Sequence, residues 1–503
     1  MKAKRSIYNL IAAFISQVVT MTLGFIIPRL TLNGYGSEVN GLMTSVTQIY
    51  AYIGLLEAGM LTTAMQALYA PVAKGSRDEI SGVVNAAKKY YRKIAVLYTI
   101  AVLLISFALP MILNSSLQWW EITGYFGLYG VSNIINFWFL AGYKPLLLAE
   151  GKGYVTSVIT TIFHIVSQFI KIILLNIGAN IVILQAVYSV INILQLSIYY
   201  LYFNKKYKWL DKKIEPSTGS LKQRNAFFIQ QVSNLIFSST DVALISFFCG
   251  LKEASVYAVY MLIFNALSTM MSLFVSSTQF VLGQSYNEDK IRYIKTHRTY
   301  ESVLLTLAFI LFSAAYILTL PFIRIYTAGI TDVNYLDKWL PLLFCLNGLL
   351  STCKTVPLAL INCSYHAQKV IPQTLIEVAI NLVSSIILVQ FLGIKGVLIG
   401  TTIALVFRVV DLIYYTNKKI LQTSTFQTIK LYAVNFILFF GLIVVNSFIP
   451  ITLGSYLDFI LKGVIIVIIL AVIYIVVNIL INFKYYMELF YIIKNKFLRR
   501  RKK

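Results

Sequence analysis

Acidic side chains are scarce: the 503-residue chain has 19 Asp and Glu against 43 Lys and Arg, and charged residues of both signs make up only 12%. Soluble domains carry nearer ~25% charged residues, so a freely soluble globular protein is excluded. Histidine is limited to 3 residues and cysteine to 4. His164, His297 and His366 share no metal-ligand spacing, and Cys249, Cys345, Cys353 and Cys363 lie in or beside apolar segments, where they read as packed thiols. The chain also lacks a Gly-Lys-Ser/Thr phosphate loop, a Gly-x-Ser-x-Gly elbow and a His-Glu-x-x-His pair. ATP hydrolysis within this chain is thereby excluded, no cofactor is expected, and the chain does not read as an enzyme. No outward connection exceeds about twenty residues, the longest being Ile323 to Lys338, so an external catalytic domain has nowhere to sit.

Apolar residues make up 58% of the chain, and the net charge is +24. The positions of the cations decide what that charge means. Of the 43 Lys and Arg, 34 fall in alternate connections and the tails: Lys2 to Arg5, Lys74 to Lys93, Lys144 and Lys152, Lys205 to Arg224, Lys290 to Arg298, Lys369, Lys418 to Lys430 and Lys484 to Lys503. This alternation follows the positive-inside rule, so the basic balance reports topology and contact with anionic membrane lipids, and nucleic acid is not an expected partner. Both termini are then cytoplasmic. The apolar run from Ile7 to Leu32 is too long for a secretory signal and lacks a small-residue cleavage site, so it reads as the first span.

A span needs about 20 apolar residues, and the chain offers about fourteen such segments, among them Ile7 to Leu32, Gly41 to Tyr69, Thr123 to Ala141 and Ala226 to Cys249. The expected fold class is an all-α polytopic membrane protein. Roughly two hundred residues recur about 214 positions later: Ser16-Gln17-Val18-Val19 answers to Gln230-Gln231-Val232-Ser233, and Ile198-Tyr199-Tyr200 to Ile413-Tyr414-Tyr415. Six spans precede the polar, basic linker 204–223, which divides a first six-helix bundle (1–203) from a second (224–418). Two additional helices and a basic tail follow (419–503). With an even number of spans in each half, the repeat is parallel, its pseudo-twofold axis along the membrane normal. Ser76 to Lys93 is amphipathic and basic, the pattern of a helix lying on the inner leaflet, and Asn287 to Thr299 is its counterpart.

Charges inside a span cost about 2.5 to 3.5 kcal/mol each, so those that remain face a bundle interior or a watery cavity. The set is Arg29, Glu57, Lys171, Asp241, Lys354, Glu377, Arg408 and Asp411. The repeat offset carries Asp241 to within two residues of Arg29, which predicts that the two face each other across the axis, either as substrate holder and gate or as a static ion pair. The same mapping brings Lys354 beside Lys144, as a phosphate entry or as two lysines snorkelling to inner headgroups. Glu57, flanked by Gly54, Ala58 and Gly59, is a candidate for proton or sodium coupling, with a structural hydrogen bond as the alternative. Lys171 either extends a cationic lining or snorkels. Arg408 and Asp411 have the spacing of a local ion pair, and Glu377, near the inner interface, reads as solvated.

Pro28-Arg29-Leu30, Gly36, Gly41-Leu42, Leu56-Glu57-Ala58-Gly59-Met60, Leu68-Tyr69-Ala70-Pro71, Tyr90-Tyr91-Arg92 and Tyr143-Lys144-Pro145-Leu146-Leu147-Leu148-Ala149 together resemble the polysaccharide transport proteins. These are the O-antigen, capsule and exopolysaccharide flippases of the multidrug/oligosaccharidyl-lipid/polysaccharide exporter superfamily. The resemblance implies a V-shaped pair of bundles. It also implies a central cavity lined by the first, second, seventh and eighth helices, which carry Arg29, Glu57 and Asp241 here. The implied cargo is a polyprenyl-diphosphate-linked oligosaccharide, moved to the outer leaflet of the cytoplasmic membrane by alternating access. On this view Arg29, Lys144, Lys171 and Lys354 bind substrate, Glu57 and Asp241 couple an ion or gate, and polysaccharide polymerase or assembly proteins are partners. A lipid II flippase and a drug/ion antiporter of the same superfamily are the competing transporters. A membrane polymerase or acyltransferase is the competing class. The facilitator-type transporters are disfavoured because Ala70 to Lys93 lacks their Gly-x-x-x-Asp-Arg signature.

Overall fold

The computed structural model describes residues 2–113, 115–211, 213–217, 232, 235, 239–288, 290–364, 366–448 and 455–500. Among these, every regular element is helical. Ten helices among the described residues are long and apolar enough to cross a membrane, and the protein is a multi-pass all-α membrane protein. The remaining expected spans are distinguished by how they depart from a plain apolar helix. Helix α1 (Lys2–Ile53) holds the first span and the start of the second, kinked where Gly36 takes φ 81°, a conformation that favours glycine. The second span then breaks at Gly54–Glu57, a 3-10 turn, and resumes as α2 (Met60–Lys74). Helix α4 (Trp119–Phe139) is long enough but not among the ten, because polar residues interrupt its apolar surface. Of the expected seventh span, Ser239–Phe248 is helical, here α8, and most of the rest lies outside the described residues.

Between these run α3 (Arg77–Ile112), the short α5 (Lys144–Ala149), α6 (Gly153–Ile177) and α7 (Ile181–Lys206). The chain continues through α9 (Leu251–Glu288), α10 (Lys290–Tyr326), α11 (Trp339–Cys363), α12 (Ile371–Leu392), α13 (Ile394–Tyr415), α14 (Phe426–Phe448) and α15 (Tyr456–Arg500). The amphipathic stretch Ser76 to Lys93 does not form a separate surface helix. It is the first half of the continuous 36-residue α3. At 1.5 Å per residue such a helix is roughly 54 Å long, well beyond the ~30 Å hydrocarbon core. Its apolar face, Ile80, Val83 and Val84, is buried against Leu146, Leu147 and Phe203, so protein rather than headgroup covers it. Of the counterpart, residues 290–299 are likewise the start of the long helix α10.

Packing divides the chain into two compact units, Met1–Ala258 with Ile330–Val333, and Val259–Gly329 with Asn334–Lys503. In the first, α3 packs on α4, α4 on α7, and α1 on α6. In the second, α13 lies against α12 and α11, while α14 and α15 pack on α10. Polar pairs pin these last two helices: Ser313 and Tyr474 share a 2.8 Å hydrogen bond, and Asn435 and Asn478 exchange side-chain bonds of 3.0 and 2.9 Å. Their opposite faces are apolar and open, with Phe448 79% and Leu480 76% exposed, as lipid-facing surfaces are. Cys345 and Cys353 are fully buried free thiols, as their apolar setting predicts.

Candidate functional site

The break in the second span is a consequence of Gly59, which sits in the left-handed region at φ 77° and ends the 3-10 turn begun at Gly54. Non-helical backbone at membrane depth is tolerated where protein or a water-filled cavity surrounds it. Glu57 is the last residue of that turn, and its Oε1 accepts a 2.9 Å hydrogen bond from the Tyr91 hydroxyl of α3. Lys144 is within electrostatic reach of the same carboxylate. Lys144 is exposed and lines a cavity of about 490 Å³ among α4, α6 and α7. The structure places two sequence-predicted residues, Glu57 and Lys144, in the same neighbourhood without an ion pair between them among the described residues.

Upstream of the break, the second span forms a close seam with the start of the second repeat, inside the first unit. Asn40 Nδ2 donates to Ser255 Oγ at 2.8 Å, Ser45 and Ser246 share a 2.5 Å hydroxyl contact, and Tyr52 bonds the Thr240 hydroxyl. Gly41 permits this approach, since a Cβ there would lie 1.9 Å from the Leu251 carbonyl oxygen. At the head of the seam, the Ser37 N–H and hydroxyl donate to the Asp332 carboxylate at 2.8 and 2.6 Å. An acceptor at the start of a helical segment satisfies otherwise orphaned N–H groups. Asp241 lies on this seam, buried, accepting a 3.0 Å hydrogen bond from the Tyr257 hydroxyl. Arg29 is half-buried on α1 beyond Pro28. Lys171 on α6 is half-buried too, its Nζ 3.8 Å from Met43 Sδ.

The second unit treats its intramembrane charges differently. Lys354 Nζ lies 2.8 Å from Glu377 Oε1, Arg408 Nε 3.3 Å from Glu377 Oε2, and Arg408 Nη1 2.7 Å from Asp411 Oδ2. The Arg408 Nη2 group adds a 2.9 Å bond to Thr374. The predicted Arg408 and Asp411 pair is present. Glu377, expected to be solvated, is instead 3% exposed and central to the cluster, because two cations from neighbouring helices converge on it. Lys354, expected to hold substrate, has its ammonium on this carboxylate. A second buried cluster joins Arg298 to Glu301, Thr428 and Asn417, tying α10 to the π-helical turn Thr416–Leu421 and to α14.

No protein-family model matches the chain, and no curated protein matches it. Solved structures do. The lipid II flippase MurJ, in an inward closed conformation, aligns with a TM-score of 0.68 at 16% identity over 94% of this chain and 99% of that one. An inward-facing multidrug resistance MATE family transporter of the MOP superfamily aligns at 0.61 and 15% identity, over 80% of this chain and 97% of that one. The MATE multidrug transporter DinF-BH gives 0.57 at 17% identity, over 81% and 94%. The chain has the fold of the MOP-superfamily transporters.

Within this MOP-type fold, sequence reasoning missed the neutral polar lining of the cavity beside Lys144. Its signal was present as a helical stripe: Tyr129, Ser132, Asn133, Asn136 and Leu140 recur at spacings of three and four, as do Tyr188, Asn192, Gln195, Tyr199 and Phe203. Charge was the chosen marker of function, and these residues carry none.

Proposed function

We propose that this protein is a flippase that carries a polyprenyl-diphosphate-linked oligosaccharide from the inner to the outer leaflet of the cytoplasmic membrane by alternating access, with both termini cytoplasmic. The observation that carries the proposal is the reach of the structural likeness. The lipid II flippase aligns over 94% of this chain, whereas the MATE structures align over 80 to 86%. A lipid carrier as cargo fits a transporter whose polar shelter need only hold a headgroup, since the polyprenyl tail stays in the bilayer. Arg29, Lys144 and Lys171 are the cations we assign to the diphosphate, and Glu57 and Asp241 to ion coupling or gating. Lys354, committed to Glu377, serves structure in this scheme. An inside-negative potential would favour outward movement of the anion by about 2.3 kcal/mol per charge per 100 mV.

Lipid II transport is the second reading, favoured by the 0.68 TM-score of its flippase. Purified protein in liposomes, supplied separately with a fluorescent polyprenyl-diphosphate oligosaccharide, with lipid II and with a cationic rhodamine dye, separates the possibilities. Flipping of the oligosaccharide carrier in preference to the other two is expected. Dye export against an imposed ion gradient without lipid flipping would overturn the proposal in favour of an antiporter.

A further inference from the structure

The cavity among α4, α6 and α7 lies wholly within the first unit and is lined by side chains that are polar but almost all uncharged. In a membrane-embedded bundle such a lining is costly unless every group finds a partner. Some do. Asn133 Nδ2 donates to the Tyr98 hydroxyl at 3.0 Å, the Thr160 and Tyr199 hydroxyls lie 2.9 Å apart, and Tyr199 Oη also donates to the Thr156 carbonyl at 2.8 Å. Others do not. The Ser132 hydroxyl is buried with no hydrogen-bond partner, and Asn136 makes no side-chain hydrogen bond among the described residues. Gln195 and Asn192 are partly used, Gln195 by Tyr199 and by a long 3.4 Å bond to Thr160, and Asn192 by Tyr188.

A roughly 490 Å³ space with unspent amide and hydroxyl groups falls in the ~300–1,000 Å³ range of small-molecule sites. Its chemistry narrows the ligand. Among the described residues no carboxylate lines it that would hold a cationic drug, and Lys144 is the one charged residue of the lining. Amides and hydroxyls from three helices match a molecule that both donates and accepts at several points. Tyr129, Tyr188 and Tyr199 supply ring surface for the C–H faces of such a molecule.

We infer that this cavity binds a neutral sugar residue of the cargo, its hydroxyl or acetamido groups meeting Ser132, Asn136, Asn192 and Gln195, while Lys144 takes a phosphate oxygen at the rim. The inference rests on the oligosaccharide reading above and adds to it a location and a preference for uncharged sugars.

The test uses full-length protein in nanodiscs and saturation-transfer NMR with free glucose, galactose and N-acetylglucosamine. Transfer to at least one sugar is expected, and Asn136→Leu and Asn192→Leu should each raise its half-saturation concentration about tenfold, the weight of one buried hydrogen bond. Absence of transfer from all three sugars, or equal half-saturation in variants that melt like the parent, overturns the inference. Should the leucine variants fail to fold, Ser132→Cys gives a second measure. The sugar should slow its modification by a small thiol reagent relative to the parent background, and an unchanged rate counts against the site. In liposomes, pocket variants that flip the lipid-linked oligosaccharide with unaltered KM would remove the sugar site while leaving the flippase assignment intact. Sugar binding lost in the variants, in a parent protein that flips no lipid-linked saccharide, would remove the flippase assignment instead.

Discussion

The two units hold their intramembrane charges in opposite ways. In the second, Lys354, Glu377, Arg408 and Asp411 balance as two cations and two anions, with Thr374 taking a further donor, and Arg298 and Glu301 balance again with Thr428 and Asn417. In the first, Glu57 sits in a broken helix with one tyrosine bond, and Lys171 contacts a thioether. A charge cluster closed on itself has no capacity left for a ligand. Groups held in the bilayer without full compensation remain there at a cost, and a transported molecule is what could repay it. The difference teaches that the pairing of a charge, rather than its presence, separates scaffold from site.

The largest expected effect breaks the closed cluster. Arg408→Met leaves Glu377 and Asp411 without their shared guanidinium, and removing one member of a buried ion pair costs about 3 to 5 kcal/mol. Thermal melting in detergent should show a large drop, with flipping per folded molecule unchanged. A normal melt would mean that the cluster is hydrated and not structural. Next comes the seam of the first unit. Gly41→Ala forces a methyl onto the Leu251 carbonyl, an overpacking of about 1 to 3 kcal/mol. Melting should fall moderately, and cross-linking between cysteines introduced at Ser45 and Ser246 should be weakened. Undiminished cross-linking would show that the seam absorbs the methyl without the helices parting.

Glu57→Gln sharpens the contrast from the other side. The amide can still accept the Tyr91 hydrogen bond, so melting should stay within about 0.5 kcal/mol of the parent. Transport should nevertheless fall roughly tenfold, the effect of about 1.4 kcal/mol on a barrier, and lose its response to an imposed ion gradient. Full gradient-driven transport by this variant would remove Glu57 from coupling.

Much of the architecture was legible because bilayer thickness and the cost of unpaired backbone leave few options for runs of twenty apolar residues. The Arg408 and Asp411 pair was legible for a similarly local reason, three residues on one helix. Glu377 was misjudged because its partners come from α11 and α13, and only tertiary packing shows that a carboxylate near a helix end is covered. The surface-helix expectation for Ser76 to Lys93 failed because amphipathicity reports an apolar face but not what covers it, here Leu146, Leu147 and Phe203. Gly54 and Gly59 were visible as small residues permitting close helices. That Gly59 would instead turn left-handed and unwind the span beside Glu57 depends on backbone angles that composition does not reveal.

The smallest effect on stability is expected at Lys171, and it bears most directly on the comparison. Lys171→Met replaces a half-buried ammonium, whose polar contact is the Met43 thioether, by a side chain of similar length that suits hydrocarbon. Since a charge in a span costs about 2.5 to 3.5 kcal/mol unless paired, removing it should leave the melt unchanged or slightly raised. Lys354→Met, the same substitution in the second unit, strips Glu377 of a charge-assisted hydrogen bond worth about 1.5 to 3 kcal/mol and should lower it. If Lys171 serves the diphosphate, its loss should raise KM for the lipid-linked substrate with kcat nearly constant, because binding is then weakened before and during transit alike. Equal destabilisation by both substitutions, with no change in KM at Lys171, would mean that the first unit also keeps its cations for structure.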